Sequence, residues 1–122
     1  MIDWKIEGLA DDRKVIVFHL TGQLERSHCE EIFKTLEYHI EQGHPNVVLN
    51  CYDLKFLSSL GLGIMMQVHA RMKRHGGNVK LARVPVAVTK LLHVVMLDKV
   101  LEVYPTVREA VASFQETVTI DN

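Results

Sequence analysis

The stretch Asp53-Leu54-Lys55-Phe56-Leu57-Ser58-Ser59-Leu60-Gly61-Leu62-Gly63-Ile64 decides how the rest of the chain is interpreted. It follows an apolar run, residues 47–51, that is typical of a buried strand, and it leads into a segment with helical periodicity. Two serines therefore stand where a helix begins, with two glycines behind them. A helix start offers unpaired N–H groups and a partial positive charge, so it favours a phosphate. A serine at this place is either a helix cap or a switch.

Length and composition fit a single globular domain spanning residues 1–122. The chain is 48% hydrophobic and 24% charged, which is enough for one core. We expect residues 3–115 to be ordered and residues 116–122 to form a tail. No apolar run approaches the roughly 20 residues of a membrane span, and no signal-peptide pattern is present. We therefore expect a cytoplasmic protein without membrane insertion, in which Cys29 and Cys51 are buried, reduced thiols.

The charge balance argues against nucleic acid as a partner. The formal net charge is −1, whereas binding to a phosphate backbone needs a basic surface. Lys73, Arg74, Lys80 and Arg83 make a modest basic group. We interpret them as cations at a helix end and on a solvated strand.

Hydrophobic periodicity predicts an α/β domain with a mixed β-sheet of four to five strands packed with about four helices. Capping boxes open two helices, at Ser27-His28-Cys29-Glu30 and at Thr106-Val107-Arg108-Glu109. A further helix runs from Ser59 to Gly76-Gly77, and a short one begins at Pro85. The two helices with capping boxes are expected over 27–42 and 106–114. The expected strands are 4–7, 14–20 (ended by Thr21-Gly22), 47–51, 79–82 and, as a last short one, 101–104, with a turn at 10–12.

Each predicted helix has one apolar face, which we expect to point inward. In chain order the members of these faces are Cys29, Ile32, Phe33, Leu36 and Ile40; Ile64, Met65, Val68 and Met72; Val88, Leu91, Leu92 and Val95; and Val107, Ala110, Val111 and Phe114.

No metal or nucleotide motif is complete, so we expect no cofactor. The seven histidines show no ligand spacing, and neither cysteine has a C-x-x-C partner. Gly61-Leu62-Gly63 has part of the dinucleotide fingerprint, but Met66 occupies the position of the third glycine. We interpret the glycines as sites of close helix packing. A serine nucleophile is also not indicated, because Leu57 and Ser58 stand where the G-x-S-x-G elbow would need its first glycine and its spacer.

The chain resembles a STAS domain of the bacterial anti-sigma factor antagonist family over roughly residues 4–114. Leu20-Thr21-Gly22-Gln23-Leu24-Glu25 is similar to the family's L-T-G-E-L-D, and Ser58-Ser59-Leu60-Gly61-Leu62-Gly63 is similar to its D-S-S-G-L-G. Further similarity lies in Val47-Val48-Leu49-Asn50 with Leu54-Lys55-Phe56-Leu57, in Gly76-Gly77-Asn78-Val79 and in Pro85-Val86-Ala87-Val88.

The resemblance implies which serine is regulated. With Phe56 and Gly61-Leu62-Gly63 aligned without a gap, the family's aspartate falls on Ser58, its phosphorylated serine on Ser59 and its next serine on Leu60. The chain thus departs from the motif at two positions. Ser59 is the implied phosphate acceptor, and Ser58 is the alternative.

The resemblance also implies a function without catalysis. Such a domain binds an anti-sigma factor that is a serine protein kinase, so that a sigma factor is freed. Phosphorylation by the kinase separates the two proteins, and a serine phosphatase resets the switch. We expect the loop after the second strand to lie near the serines, because both segments follow strands that neighbour each other in the sheet. The expected partner-binding residues lie on this loop, at the serines and on the helix that follows: Gln23, Leu24, Glu25, Ser58, Ser59, Leu60, Met66 and Gln67.

Two other functions remain open at this point. One is a STAS module that is not phosphorylated and binds its partner constitutively, within a transporter or a larger signalling assembly; Ser58 in place of aspartate gives it weight. The other is a small enzyme that uses Ser59.

Overall fold

One mixed sheet organises the computed structural model, which describes residues 3–8, 14–41 and 46–116. Its strands are β1 (Asp3–Gly8), β2 (Lys14–Gln23), β3 (Asn46–Phe56), β4 (Asn78–Ala82) and β5 (Glu102–Tyr104). The helices are α1 (Arg26–Glu41), α2 (Ser59–Arg74), α3 (Val86–Val94) and α4 (Val107–Glu116), and a 3₁₀ turn covers Leu97–Lys99. The expected turn at 10–12 and most of the expected tail lie outside the described residues.

The strands lie side by side in chain order, β1-β2-β3-β4-β5. β1 pairs antiparallel with β2, with Trp4 opposite Phe18, and each later pair is parallel. Parallel neighbours need a crossover connection, and α1, α2 and α3 supply the three that link β2 to β5. The predicted mixed α/β architecture is confirmed.

The sheet has a large core on one face and a smaller core on the other. The larger core holds the inward residues of β2 and β3, such as Phe18 and Leu49, together with those of α1, α2 and α3. The smaller core joins Val15, Val17 and Val48 to α4. The four predicted inward residues of α2 are all buried. The side chain of Ile40 lies outside the described residues.

Three burial predictions within the described residues were wrong. Cys29 was expected to be buried but is only partly buried. Val95 is 43% exposed, because α3 ends at Val94 and Val95 is its C-cap. Lys80 was expected on a solvated strand but is only 3% exposed. Its Nζ donates to Ser113 Oγ at 2.7 Å and lies 4.3 Å from the centre of the Phe114 ring. A buried ammonium needs such partners, because an unpaired one is costly.

The first capping box was also wrong, whereas one of the two bonds of the second is present. α1 begins at Arg26, so Ser27 lies within its first turn. Glu25 precedes the helix, and its backbone N–H donates to His28 Nδ1 at 3.0 Å. The imidazole therefore takes the part that a glutamate has in a capping box. At α4 the expected bond is present, since the N–H of Glu109 donates to Thr106 Oγ1 at 3.0 Å.

Candidate functional site

The two serines at the start of α2 occupy different structural positions. Ser58 is the N-cap, with an extended backbone (φ −88°, ψ 176°). Its Oγ accepts a hydrogen bond from the N–H of Gly61 at 3.2 Å, and its carbonyl accepts one from Leu62 at 2.9 Å. A serine caps a helix about as well as an aspartate does. Ser58 therefore satisfies the structural need at this position.

Ser59 is the first residue of α2 and its side chain is exposed. In the described part of the chain its hydroxyl makes no side-chain hydrogen bond. The backbone N–H groups of Ser59 and Leu60 belong to the first turn, which has no partners within the helix. An anion carried by Ser59 would thus stand beside unpaired donors at the positive end of the helix dipole.

The two glycines that follow the serines also occupy different structural positions, one buried and one exposed. Gly61 is buried, and a methyl group there would lie 2.6 Å from Leu57 Cδ1 and 3.4 Å from Leu24 Cβ. Gly63 is exposed, and a methyl group there would meet nothing within 4 Å. Close packing explains Gly61, as expected from the sequence, but it does not explain Gly63.

The loop after β2 lies against the start of α2, as expected for segments that follow neighbouring strands. β2 and β3 are parallel, and Gln23 pairs with Phe56 at their carboxyl ends. Leu24 is 1% exposed and belongs to the core, so it supports this surface from below and offers no contact itself. Gln23 and Glu25 are exposed on either side of it.

The remaining candidate residues extend the surface along α2. Leu60 is 45% exposed, Met66 is half-buried and Gln67 is exposed. The Sγ of Cys29 on α1 donates to Gln67 Oε1 at 3.4 Å. Phe56, at the end of β3, is 56% exposed and was not among the sequence candidates. It is a large apolar side chain next to the serines.

A polar cluster in the middle of β2 and β3 was also missed. His19 Nε2 lies 2.7 Å from Asp53 Oδ2, and Asn50 Nδ2 lies 3.0 Å from His19 Nδ1. A bulge brings them together: Asn50 pairs with His19 and Asp53 with Thr21, so β3 advances one residue more than β2. An apolar strand pattern gives no signal for such a bulge.

The thiols are poor nucleophiles in this structure. Burial raises the pKa of Cys51 to about 12. Burial, and after it the charge of Glu30, also raises the pKa of Cys29. Across residues 3–8, 14–41 and 46–116, no three histidine, cysteine or acidic side chains are grouped as a metal ion would require. None of the helices in these ranges combines the length and the apolarity needed to cross a bilayer.

Comparison with known proteins places the chain in a family. The model of the STAS domain matches residues 9–110. An anti-sigma factor antagonist from Mycobacterium paratuberculosis has a similar structure, with a TM-score of 0.68 at 20% identity over 93% of each chain.

SpoIIAA is also similar, in both of its solved forms. The anti-sigma factor antagonist SpoIIAA in its unphosphorylated form gives a TM-score of 0.66 at 18% identity, over 97% of this chain and all of that one. The Bacillus cell fate determinant SpoIIAA in the phosphorylated form gives 0.67 at 21% identity, over 92% and 99%. These likenesses establish the fold, and the match to the family model covers most of the sequence. The chain belongs to the STAS domain family.

Proposed function

We propose that this protein is an anti-sigma factor antagonist: a cytoplasmic binding switch that sequesters an anti-sigma factor with serine kinase activity. Phosphorylation of Ser59 releases the partner, and a serine phosphatase restores the binding form. The protein itself acts as ligand and substrate and not as an enzyme.

The observation that carries this proposal is that one of the two serines caps the helix and the other is exposed. Ser58 Oγ is engaged as the cap of α2, whereas Ser59 is exposed at the next position. A kinase can reach the second hydroxyl without opening the helix. Modification of the first would require Ser58 Oγ to give up its hydrogen bond with the N–H of Gly61.

A phosphate on Ser59 would leave the domain folded. It adds about −1.5 to −2 charges at pH 7. The positive end of the α2 dipole stabilises a negative charge there by about 0.3–1 kcal/mol. The similarity of this chain to both solved forms of SpoIIAA supports a fold that accommodates either state.

A phosphate on Ser59 has an unfavourable effect on the binding free energy of a partner that covers this residue. The partner would have to strip water from a dianion, and exposed Glu25 adds a negative charge to the same surface. Burying an unpaired charge costs several kcal/mol, which corresponds to a loss of affinity of about a hundredfold or more. The expected result is release without unfolding.

Site-mapped mass spectrometry after incubation with the partner kinase and ATP tests the assignment. We expect phosphate on Ser59 in the wild-type chain and in Ser58→Ala, and no incorporation in Ser59→Ala. The two alanine variants are matched controls for each other, because they remove the same hydroxyl at adjacent positions. Phosphate found on Ser58, or on neither serine, would contradict the assignment.

A constitutive binding module is the second candidate, and Ser58 is the residue that favours it. Serine preserves the cap but removes the carboxylate that the family motif has there, which deprives a kinase of one charge to recognise. Ser58→Asp restores that charge and should keep the helix capped. If the kinase binds both chains and phosphorylates neither, the constitutive module is the better description.

A further inference from the structure

A groove between α1 and α2 continues from the proposed switch surface toward the far end of α2. It is a cavity of about 240 Å³ lined by Phe33, Gln67, Ala70, Arg71 and Arg74. We call it the α1–α2 groove. We propose that it receives an amphipathic helix of the same partner that covers Ser59, and that this helix carries a carboxylate opposite Arg74. The inference rests on the proposed function and extends it.

The groove is lined by apolar and polar side chains, and contacts between α1 and α2 hold its walls together. Arg71 Nη1 donates to Glu37 Oε1 at 3.0 Å, and the same guanidinium lies 4.5 Å from the centre of the Phe33 ring. The hydrogen bond between Cys29 and Gln67 ties the two helices at the other end of the groove. A wall held in this way is formed before a partner arrives, which lowers the entropic cost of binding.

The charges of the groove are unbalanced. Glu37 is already paired with Arg71. Arg74 is exposed, and in the described parts of the chain it has no ion-pair partner. Lys73 and His75 beside it are exposed too. This end of the groove is therefore complementary to an acidic side chain, and a guanidinium can bind a carboxylate through two parallel hydrogen bonds.

Gly63 points to a close approach by another chain. It is exposed in the interior of α2, one turn before Gln67 on the same side of the helix. Glycine is a poor helix former, and no atom within 4 Å would obstruct a methyl group there. Packing within this chain does not account for it. A partner backbone that approaches α2 at Gly63 would, since glycine permits such contact.

The position of the groove between two helices suits a helix as the occupant. A helix that lies in a groove between two others buries an apolar face along its length. Ser59 and Arg74 are the first and last residues of α2, about 22 Å apart along its axis at a rise of about 1.5 Å per residue. The partner helix thus has a carboxylate about 22 Å from the atoms that cover Ser59, if it lies along α2.

Calorimetric titration with the purified anti-sigma serine kinase from the same organism tests the proposal. Arg74→Glu should weaken binding about tenfold and reduce its sensitivity to salt. Gly63→Ala should raise the melting temperature by a few degrees and weaken binding about tenfold. Damage to the fold would not raise the melting temperature while it weakens binding. Arg108→Glu is the control, an equal charge change at an exposed position on α4, across the sheet; it should bind like wild type.

Three other outcomes would each reject the groove proposal, and one of them would also reject the proposed function. If Ser59→Asp weakens binding but Arg74→Glu and Gly63→Ala bind like wild type, the groove proposal is wrong and the proposed function stands. If no such kinase binds the wild-type chain, the proposed function fails and the groove proposal fails with it. If phosphatidylglycerol vesicles bind the wild type and not Arg74→Glu, while kinase binding is unchanged in that variant, the groove serves a membrane surface and the proposal is overturned.

Discussion

The inward and outward sides of the first two turns of α2 carry the same residue types for different purposes. On the inward side Ser58 caps the helix, and Gly61 leaves room for Leu57 and Leu24. On the outward side Ser59 and Gly63 are exposed and pack against nothing that would require them. The inward pair explains why this segment folds as it does. The outward pair is the part of this segment that we propose contacts the partner.

The glycines give the largest expected difference in stability. Gly61→Val would force a branched side chain against Leu57 and Leu24, and overpacking a core costs about 2–3 kcal/mol of unfolding free energy. Gly63→Val, the matched control at the open position, should change it by less than about 0.5 kcal/mol. Urea denaturation followed by circular dichroism measures both. If Gly61→Val does not fold, Gly61→Ala at the same position should show a smaller loss. Equal stability of the two valine variants would contradict the packing described for Gly61.

The serines give a smaller difference. Ser58→Ala removes the acceptor for the N–H of Gly61 and should cost about 1 kcal/mol. Ser59→Ala, one position later, should cost less than about 0.3 kcal/mol, because surface substitutions away from such features have small effects. Thermal melts of both variants against wild type measure the contrast. A cost that falls on Ser59 instead of Ser58 would mean that the two hydroxyls are assigned the wrong way round.

The elements that the sequence predicted best are those in which a periodic pattern and a local cap agree. The inward face of α2 follows from Ile64, Met65, Val68 and Met72, which recur at helical spacing and are buried. The start of α4 was also predictable, because Thr106 bonds locally to Glu109. Both signals depend on residues within a few positions of each other, so they can be read without the tertiary structure.

A local cap outside the usual signature and several tertiary contacts decided the features that the sequence did not reveal. α1 begins one residue before Ser27, because His28 accepts the bond from Glu25 and histidine is not part of the capping-box signature. Lys80 is buried because Ser113 on α4 reaches it across the sheet. Phe56 is close to the serines in the sequence, but its exposure, unusual for a large apolar side chain, is visible only in the folded structure.

The candidate site was predicted in part for the same reason. The neighbourhood of the β2–α1 loop and the start of α2 followed from the expected strand order. Motif register distinguished Ser59 from Ser58 in the sequence, but helix-start chemistry alone did not, since both are hydroxyls at a helix start. The hydrogen bond from Gly61 to Ser58 adds a structural difference between the two side chains. Leu24 matched the family motif as a contact residue, but its burial beneath Gly61 makes it a support.

The central claim is that a phosphate on Ser59 controls binding without unfolding the domain. The direct test compares the unmodified chain with a chain that carries phosphoserine at position 59. Both are titrated calorimetrically with the partner kinase, which is held with a non-hydrolysable ATP analogue, and both are melted in parallel. We predict an affinity lower by about a hundredfold or more for the modified chain, with a melting temperature that is unchanged or slightly higher. Equal affinities, or a loss of affinity together with a collapse of the melting transition, would contradict the account.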